Sequence, residues 1–365
     1  MTGPTGGNPY GVRVPDNKPR LPGLPPPPVD DHPLVPWEDG SHIGQWADVD
    51  HARTQLDHFR RSLVRLEDVL NPRVGRGRLV IVSGPVGMGK TTLIHRCIHE
   101  TIEHLKALSR YPHPETDGAP RPTVPRHFVA IPKGYDNDGG QMHTNDNGER
   151  AGLEAINAQI SAGIVGELAK HFPDWQNQPA DNEPIRTTSE KISQLLAMQN
   201  SLLFAVIPHI EWYGAGLRTN FLRTCLNRAV TRVVLFAEVS HGDGEDAARV
   251  VEEIGASQAI THLALGPLEE EDTMKFSQSR PSDHPAHAVL PDLAREGLLR
   301  AHREWRPRDV REMRKVFYAT AECRRHDRAD AFVTYEDLRP HLPGRPNLDD
   351  LRWDPPPPPD PQPGE

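Results

Sequence analysis

This 365-residue sequence is short of cysteine, of long apolar runs and of positive charge, and each shortage removes a class of function. Its 3 cysteines, Cys97, Cys225 and Cys323, are odd in number and far apart. Neither a disulfide framework nor a CxxC zinc site is therefore available, and buried, reduced, inert thiols are expected. No run approaches the roughly 18 apolar residues of a membrane helix, and no basic-plus-apolar leader opens the chain. The expectation is a cytoplasmic protein with no membrane partner. A net charge of −9 argues against a general nucleic-acid coat, while leaving local contacts open. No Ser/His/Asp order, paired-carboxylate geometry or G-x-S-x-G elbow stands out.

Proline is abundant, with 38 residues, and it gathers at the ends. Residues 1–36 contain Pro25–Pro28 and residues 354–365 contain Pro355–Pro359, compositions too poor in apolar side chains to offset the entropy of ordering. The expected organisation is a Pro-rich disordered tail over 1–48, an α/β core over 49–268, a helical lid over 269–348 and a second disordered tail over 349–365.

The chemistry is concentrated in one stretch. The apolar run Leu79, Val80, Ile81, Val82, Ser83 reads as a buried strand. It leads directly into Gly84, Pro85, Val86, Gly87, Met88, Gly89, Lys90, Thr91 and Thr92. This is the spacing G-x-x-x-x-G-K-T of a loop whose backbone N–H groups converge on a phosphate. Lys90 is placed for the β and γ oxygens, the Thr91 hydroxyl for a Mg²⁺ ion, and the helix over 91–109 directs its positive end at the same point. A nucleoside triphosphate with Mg²⁺ is the implied ligand.

Further strands are expected at 127–131, 202–207, 232–237 and 260–265, alternating with helices, which predicts a parallel sheet covered on both faces. A helix over 49–70 precedes them. The polar stretch 134–150 reads as disorder rather than a partner-facing insertion. His95 and His99, four apart on the helix after the phosphate loop, have spacing compatible with a metal edge, but a solvated polar face is the preferred reading. The arginines over 295–325, broken by acids, read as a salt-bridged helix face in preference to a DNA-contacting one.

These features together resemble the AAA+ ATPases and the related STAND signalling NTPases over about 49–342. The carrying residues are the phosphate loop, the segment Thr261 to Leu268 with Glu269 to Asp272 behind it, Trp305-Arg-Pro-Arg-Asp-Val310, and Phe332-Val-Thr-Tyr-Glu-Asp-Leu338. The resemblance implies a P-loop NTPase sandwich of five parallel strands with a helical lid, ATP rather than GTP, and Arg308 as the lid arginine reaching back to the γ-phosphate. The absence of an N-K-x-D base-reading motif agrees with adenine. It also implies Thr334 as a helix cap with Asp337 completing a capping box.

One departure stands out. Where the family ends its third strand in an Asp and a Glu, Ile207 is followed by Pro208 and His209, neither of which holds a metal as a carboxylate does. Glu211 or Glu238 are the candidate replacements, with ordinary loop carboxylates the preferred reading. Ser240 is the polar candidate for contact with an attacking water, and Arg232 and Arg249 are conceivable trans-acting arginines. The expected function is an ATP-binding, nucleotide-dependent switch with weak hydrolysis. A non-catalytic adaptor recruiting unknown protein partners and a DNA-associated ATPase are the alternatives, and homo-oligomerisation is left open.

Overall fold

The structure, a computed structural model, describes residues 8, 10–12, 29, 32–37, 39–47, 49–63, 66–70, 76–110, 125–131, 142–143, 150–180, 183–207, 209–211, 215–240, 247–255, 257–278, 292–327 and 334–343. The strands are β1 Arg78–Gly84, β2 Arg126–Ala130, β3 Met142–His143, β4 Ser201–Ile207, β5 Ile210–Glu211, β6 Val233–Ser240 and β7 Ile260–Ala264. Five of them form one all-parallel sheet in the order β2-β4-β6-β1-β7. All seven residues of β1 and of β4 are buried, as continuous apolar runs covered on both faces require.

Alternation along those strands divides the interior in two. Leu79 and Ile81 of β1, with Leu203, Ala205 and Ile207 of β4, face one core; Val80 and Val82, with Leu202, Phe204 and Val206, face the other. Helices α1 Asp50–Ser62, α2 Leu66–Leu70 and α3 Lys90–Arg110 supply the second core. The first is closed by α4 Arg150–His171, α5 Ile185–Met198, α6 Ala215–Arg228 and α7 Ala247–Ile254. This is the α/β fold that the alternating pattern implied. The helix expected over 49–70 is divided, with residues 64–65 outside the described set.

The lid is α8 Asp272–Gln278, α9 Asp292–Trp305, α10 Val310–Asp327 and α11 Tyr335–Leu338, around a third core built on Phe276, Leu298, Met313, Phe317 and Leu338. Its last helix carries the expected capping box: the Asp337 carboxylate accepts from the Thr334 backbone N–H at 2.7 Å.

The tail expected over 1–48 is corrected at its described residues only; 1–7, 9, 13–28, 30–31, 38 and 48 lie outside them. Although 1–48 reads as a tail, Tyr10, Val12, Leu34 and Val35 are buried, and Tyr10 stacks on Phe276 and meets Phe317 at a tilt in the lid core. Tyr10 donates its hydroxyl to Ser277 O at 3.0 Å, and Asn8 Nδ2 donates to Tyr318 O at 2.8 Å. A few large side chains among the prolines gain enough burial to order these pieces. The stretch 134–150 is corrected in part, since Met142 and His143 pair in parallel with Ile210 and Glu211. Its remaining loop residues, and the whole of 349–365, lie outside the described residues.

Candidate functional site

The phosphate loop joins the end of β1 to the start of α3, at the carboxyl edge of the sheet. Gly87 and Gly89 have φ of +84° and +76°, values that an L side chain adopts only with strain, and α3 begins at the next residue. Met88 is buried in the α3-side core and ties the loop to it, while Val86 is exposed. Lys90 is 3% exposed, with its ammonium donating to Gly84 O at 3.1 Å and Pro85 O at 2.8 Å. Burial lowers its pKa from the usual lysine value, Glu238 opposes that shift, and the Arg311 charge adds to it.

Glu238 is the side chain that completes this centre. Strand β6 runs beyond the expected end at 237, pairing Glu238 with Val82 and Ser240 with Gly84 on β1. That pairing directs the carboxylate at the loop. Its Oε2 accepts from Thr91 Oγ1 at 2.7 Å, and its Oε1 lies 3.7 Å from Lys90 Nζ. An acid on the neighbouring strand thus stands beside the two residues assigned to phosphate and metal, where the ordinary-loop reading of Glu238 placed no contact. Glu211 instead stands in the two-residue ladder beside His143. Ser240 Oγ lies 3.4 Å from His209 Nδ1 at the same sheet edge.

The donor set fits a hard divalent cation held chiefly by phosphate and water. Thr91 and Glu238 offer two adjoining oxygens, and no group of three or more His, Cys, Asp or Glu able to hold a metal is found among the described residues. Binding would then depend on the nucleotide's own oxygens.

The lid meets the loop through the start of α10. Arg311 N–H donates to Gly87 O at 3.2 Å, and the Asp309 carboxylate lies against Gly87. The expected lid arginine, Arg308, points elsewhere: its side chain is 84% exposed and its Nε donates to Glu312 at 3.3 Å. Arg311, three residues on, is the arginine whose charge Lys90 feels. Arg306, just before this start of α10, takes a left-handed backbone conformation with φ of +49°.

Behind the loop, Leu34 N–H donates to Thr92 Oγ1 at 3.4 Å and Leu34 O lies 3.2 Å from His95 Nδ1. His95 is buried, its pKa lowered to about 4 chiefly by desolvation, with Trp37 edge-on to its ring. His99 meets Trp46 in the same way. The solvated-face reading of these histidines is therefore corrected: the N-terminal strap covers them. In the sequence, the signal was the apolar pair Leu34 and Val35 with Trp37 and Trp46 nearby.

Other expectations resolve more simply. Arg300 pairs with Glu304 and Arg303 with Glu270, as a salt-bridged face requires. Arg249 pairs with Glu253, and Arg232 Nη1 donates to Asn200 Oδ1 at 3.3 Å. Cys97 and Cys225 are buried, and burial pushes the Cys225 thiol up to about 12; Cys323 is exposed, against the expectation of three buried thiols. No helix among the described residues is long and apolar enough to cross a membrane.

No protein-family model and no curated protein matches the sequence. Among solved structures, the chain is similar to the Aeropyrum pernix ORC2 protein in its ADPNP-ADP complexes, at 13% identity over 82% of this chain and 69% of that one, with a TM-score of 0.46. It is similar to Cdc6p from Pyrobaculum aerophilum at 14% identity, over 79% and 65% of the two chains, with a TM-score of 0.42. Domain III of the replication initiation protein DnaA from Thermotoga maritima matches at 13% identity, over 84% and 96%, with a TM-score of 0.38. The fold itself stands on the strand order, the phosphate loop and the helical lid.

Proposed function

We propose that this protein binds ATP with Mg²⁺ at the loop over 84–92 and acts as a nucleotide-dependent switch that hydrolyses slowly. The observation that carries the reading is the convergence of Lys90, Thr91 and Glu238 at the mouth of α3. Lys90, already desolvated, loses little further hydration when it meets a polyphosphate, and the loop's N–H groups supply the rest of the grip.

Glu238 replaces, from β6, a carboxylate that the end of β4 lacks. When bound, the metal supplies charge neutralisation of the β and γ oxygens; Thr91 and Glu238 are the residues that would hold it. Placing this acid against Thr91 favours binding of the metal-nucleotide complex. It leaves the end of β4, with Ile207 followed by Pro208 and His209, without an acid to orient water, and Ser240 beside His209 is a weaker positioning group. Slow turnover follows, because phosphoryl transfer depends on that positioning. A bound state that persists suits a switch better than a motor. The paired arginines of the lid support a protein partner over DNA as the reader of that state.

The test is calorimetric titration of the full chain with Mg-ATP and Mg-GTP, beside a phosphate-release assay. Saturable binding that favours ATP, with turnover far below that of a working ATPase, is expected. No binding of either nucleotide removes the proposal, and rapid turnover removes its second half.

A further inference from the structure

A carboxylate lies where the phosphate loop needs none. A Cβ built on Gly87 would sit 2.5 Å from Asp309 Cγ and 2.6 Å from its Oδ2, so the acid occupies the space directly over that glycine. The contact is fixed from both sides. Asp309 Oδ1 accepts the Glu312 N–H at 2.7 Å, capping α10, and Arg311 N–H donates to Gly87 O at 3.2 Å. The same side chain therefore starts the lid helix and rests on a loop whose N–H groups and buried lysine favour an anion.

We infer that Asp309 is a built-in competitor for the nucleotide's phosphates, holding the lid down on the loop until a triphosphate displaces it. The inference rests on the reading that this loop binds a nucleoside triphosphate. A fixed negative charge beside a polyphosphate is repulsive, most of all when no cation neutralises the phosphates, so it lowers affinity and selects the metal complex over the free nucleotide.

Displacement has a consequence further along α10. The strap is tied to that helix by Arg314 Nη1 donating to His32 O at 3.0 Å, and by Asn8 Nδ2 donating to Tyr318 O at 2.8 Å and Glu322 Oε1 at 2.9 Å. Two residues after His32, Leu34 is tied to α3 through Thr92 and His95. Neighbouring residues of one strap thus bridge the two elements that must part. Lifting the start of α10 from Gly87 strains this bridge, so occupancy of the loop is transmitted to the strap over 32–47.

The experiment is D309N in the full chain, since asparagine keeps the capping oxygen and removes the charge. Affinity for ATP in EDTA, read by calorimetry, is expected to rise about tenfold relative to wild type, and affinity for Mg-ATP to rise by less. Hydrogen exchange over 32–47 is expected to quicken when ATP is added to wild type. D309S, which also retains a capping oxygen, carries the same expectation if D309N fails to fold. Equal or weaker ATP binding by a folded neutral variant, where wild type binds, overturns the inference and leaves the ATP-binding reading intact. So does unchanged strap exchange at saturating ATP for the transmission step. Loss of binding in wild type and variants alike overturns the ATP-binding reading and this inference with it.

Discussion

The two sides of the proposed nucleotide site are built differently. On the phosphate-gripping side, β1, the loop and the start of α3 are contiguous in sequence, and every group assigned to the phosphate comes from residues 84–92. On the facing side, the groups come from separate elements: Glu238 from β6, Asp309 and Arg311 from the start of α10. On the proposed reading the difference separates binding from turnover. A loop of nine residues secures the first, whereas the second depends on acids, and of these the end of β4 offers none while β6 offers Glu238.

The largest effect should come from the contiguous side. Lys90→Ala removes the buried ammonium and is expected to weaken ATP binding by at least about a hundredfold in calorimetry, since a desolvated charge-assisted contact contributes roughly 3 kcal/mol or more. Retained affinity would dissolve the contrast between the two sides.

Glu238→Gln addresses the facing side. Phosphate release is expected to drop on the order of a hundredfold, and Mg-ATP binding about tenfold, with metal-free ATP binding unchanged or tighter. Equal losses with and without Mg²⁺ would show that the carboxylate acts on Lys90 alone.

His95 probes how the gripping side is supported from behind. Its folded-state pKa of about 4 lies below the ordinary 6.5, so the unfolded chain binds the proton first. Stability contributed by neutral His95 is whole above pH 6.5 and is lost as pH falls towards 4, by roughly 3 kcal/mol over that window. Burial is the main cause; the nearby His32 and His42 act in the same direction, and Leu34 O opposes. Denaturant melts of wild type and His95→Gln at a series of pH values check this: the difference between them should shrink as the pH falls through that range. A constant difference would mean that the strap does not hold the histidine neutral.

The smallest contrast separates two arginines. Arg311→Ala is expected to weaken ATP binding about fivefold, and Arg308→Ala to change it by less than about twofold, because an exposed side chain paired to Glu312 contributes little. The reverse ranking would restore Arg308 to the site.

The legible parts of the sequence were those with local causes. Five strands announced themselves as apolar runs, and the capping box at Thr334 and Asp337 came with the resemblance of its short segment. The strap escapes a sequence reading because Tyr10 packs on Phe276 and Phe317, and the Leu34 backbone N–H reaches Thr92, all far away in the chain. Proline content outweighed them in any local count. Motif spacing points to Arg308, whereas the backbone contact between α10 and the loop is made by Arg311, whose N–H meets Gly87 O.

Sequence alone determined the phosphate loop, since its backbone conformation, its lysine and its helix start are all encoded within nine residues. Tertiary structure decided everything that faces it. Glu238 reaches Thr91 because β6 lies beside β1 and stays in register for three residues beyond Ala237, and Asp309 reaches Gly87 because the lid folds back over the sheet edge. Such contacts join residues more than a hundred positions apart, where no local propensity records them and only the packing of the two layers brings the charges together.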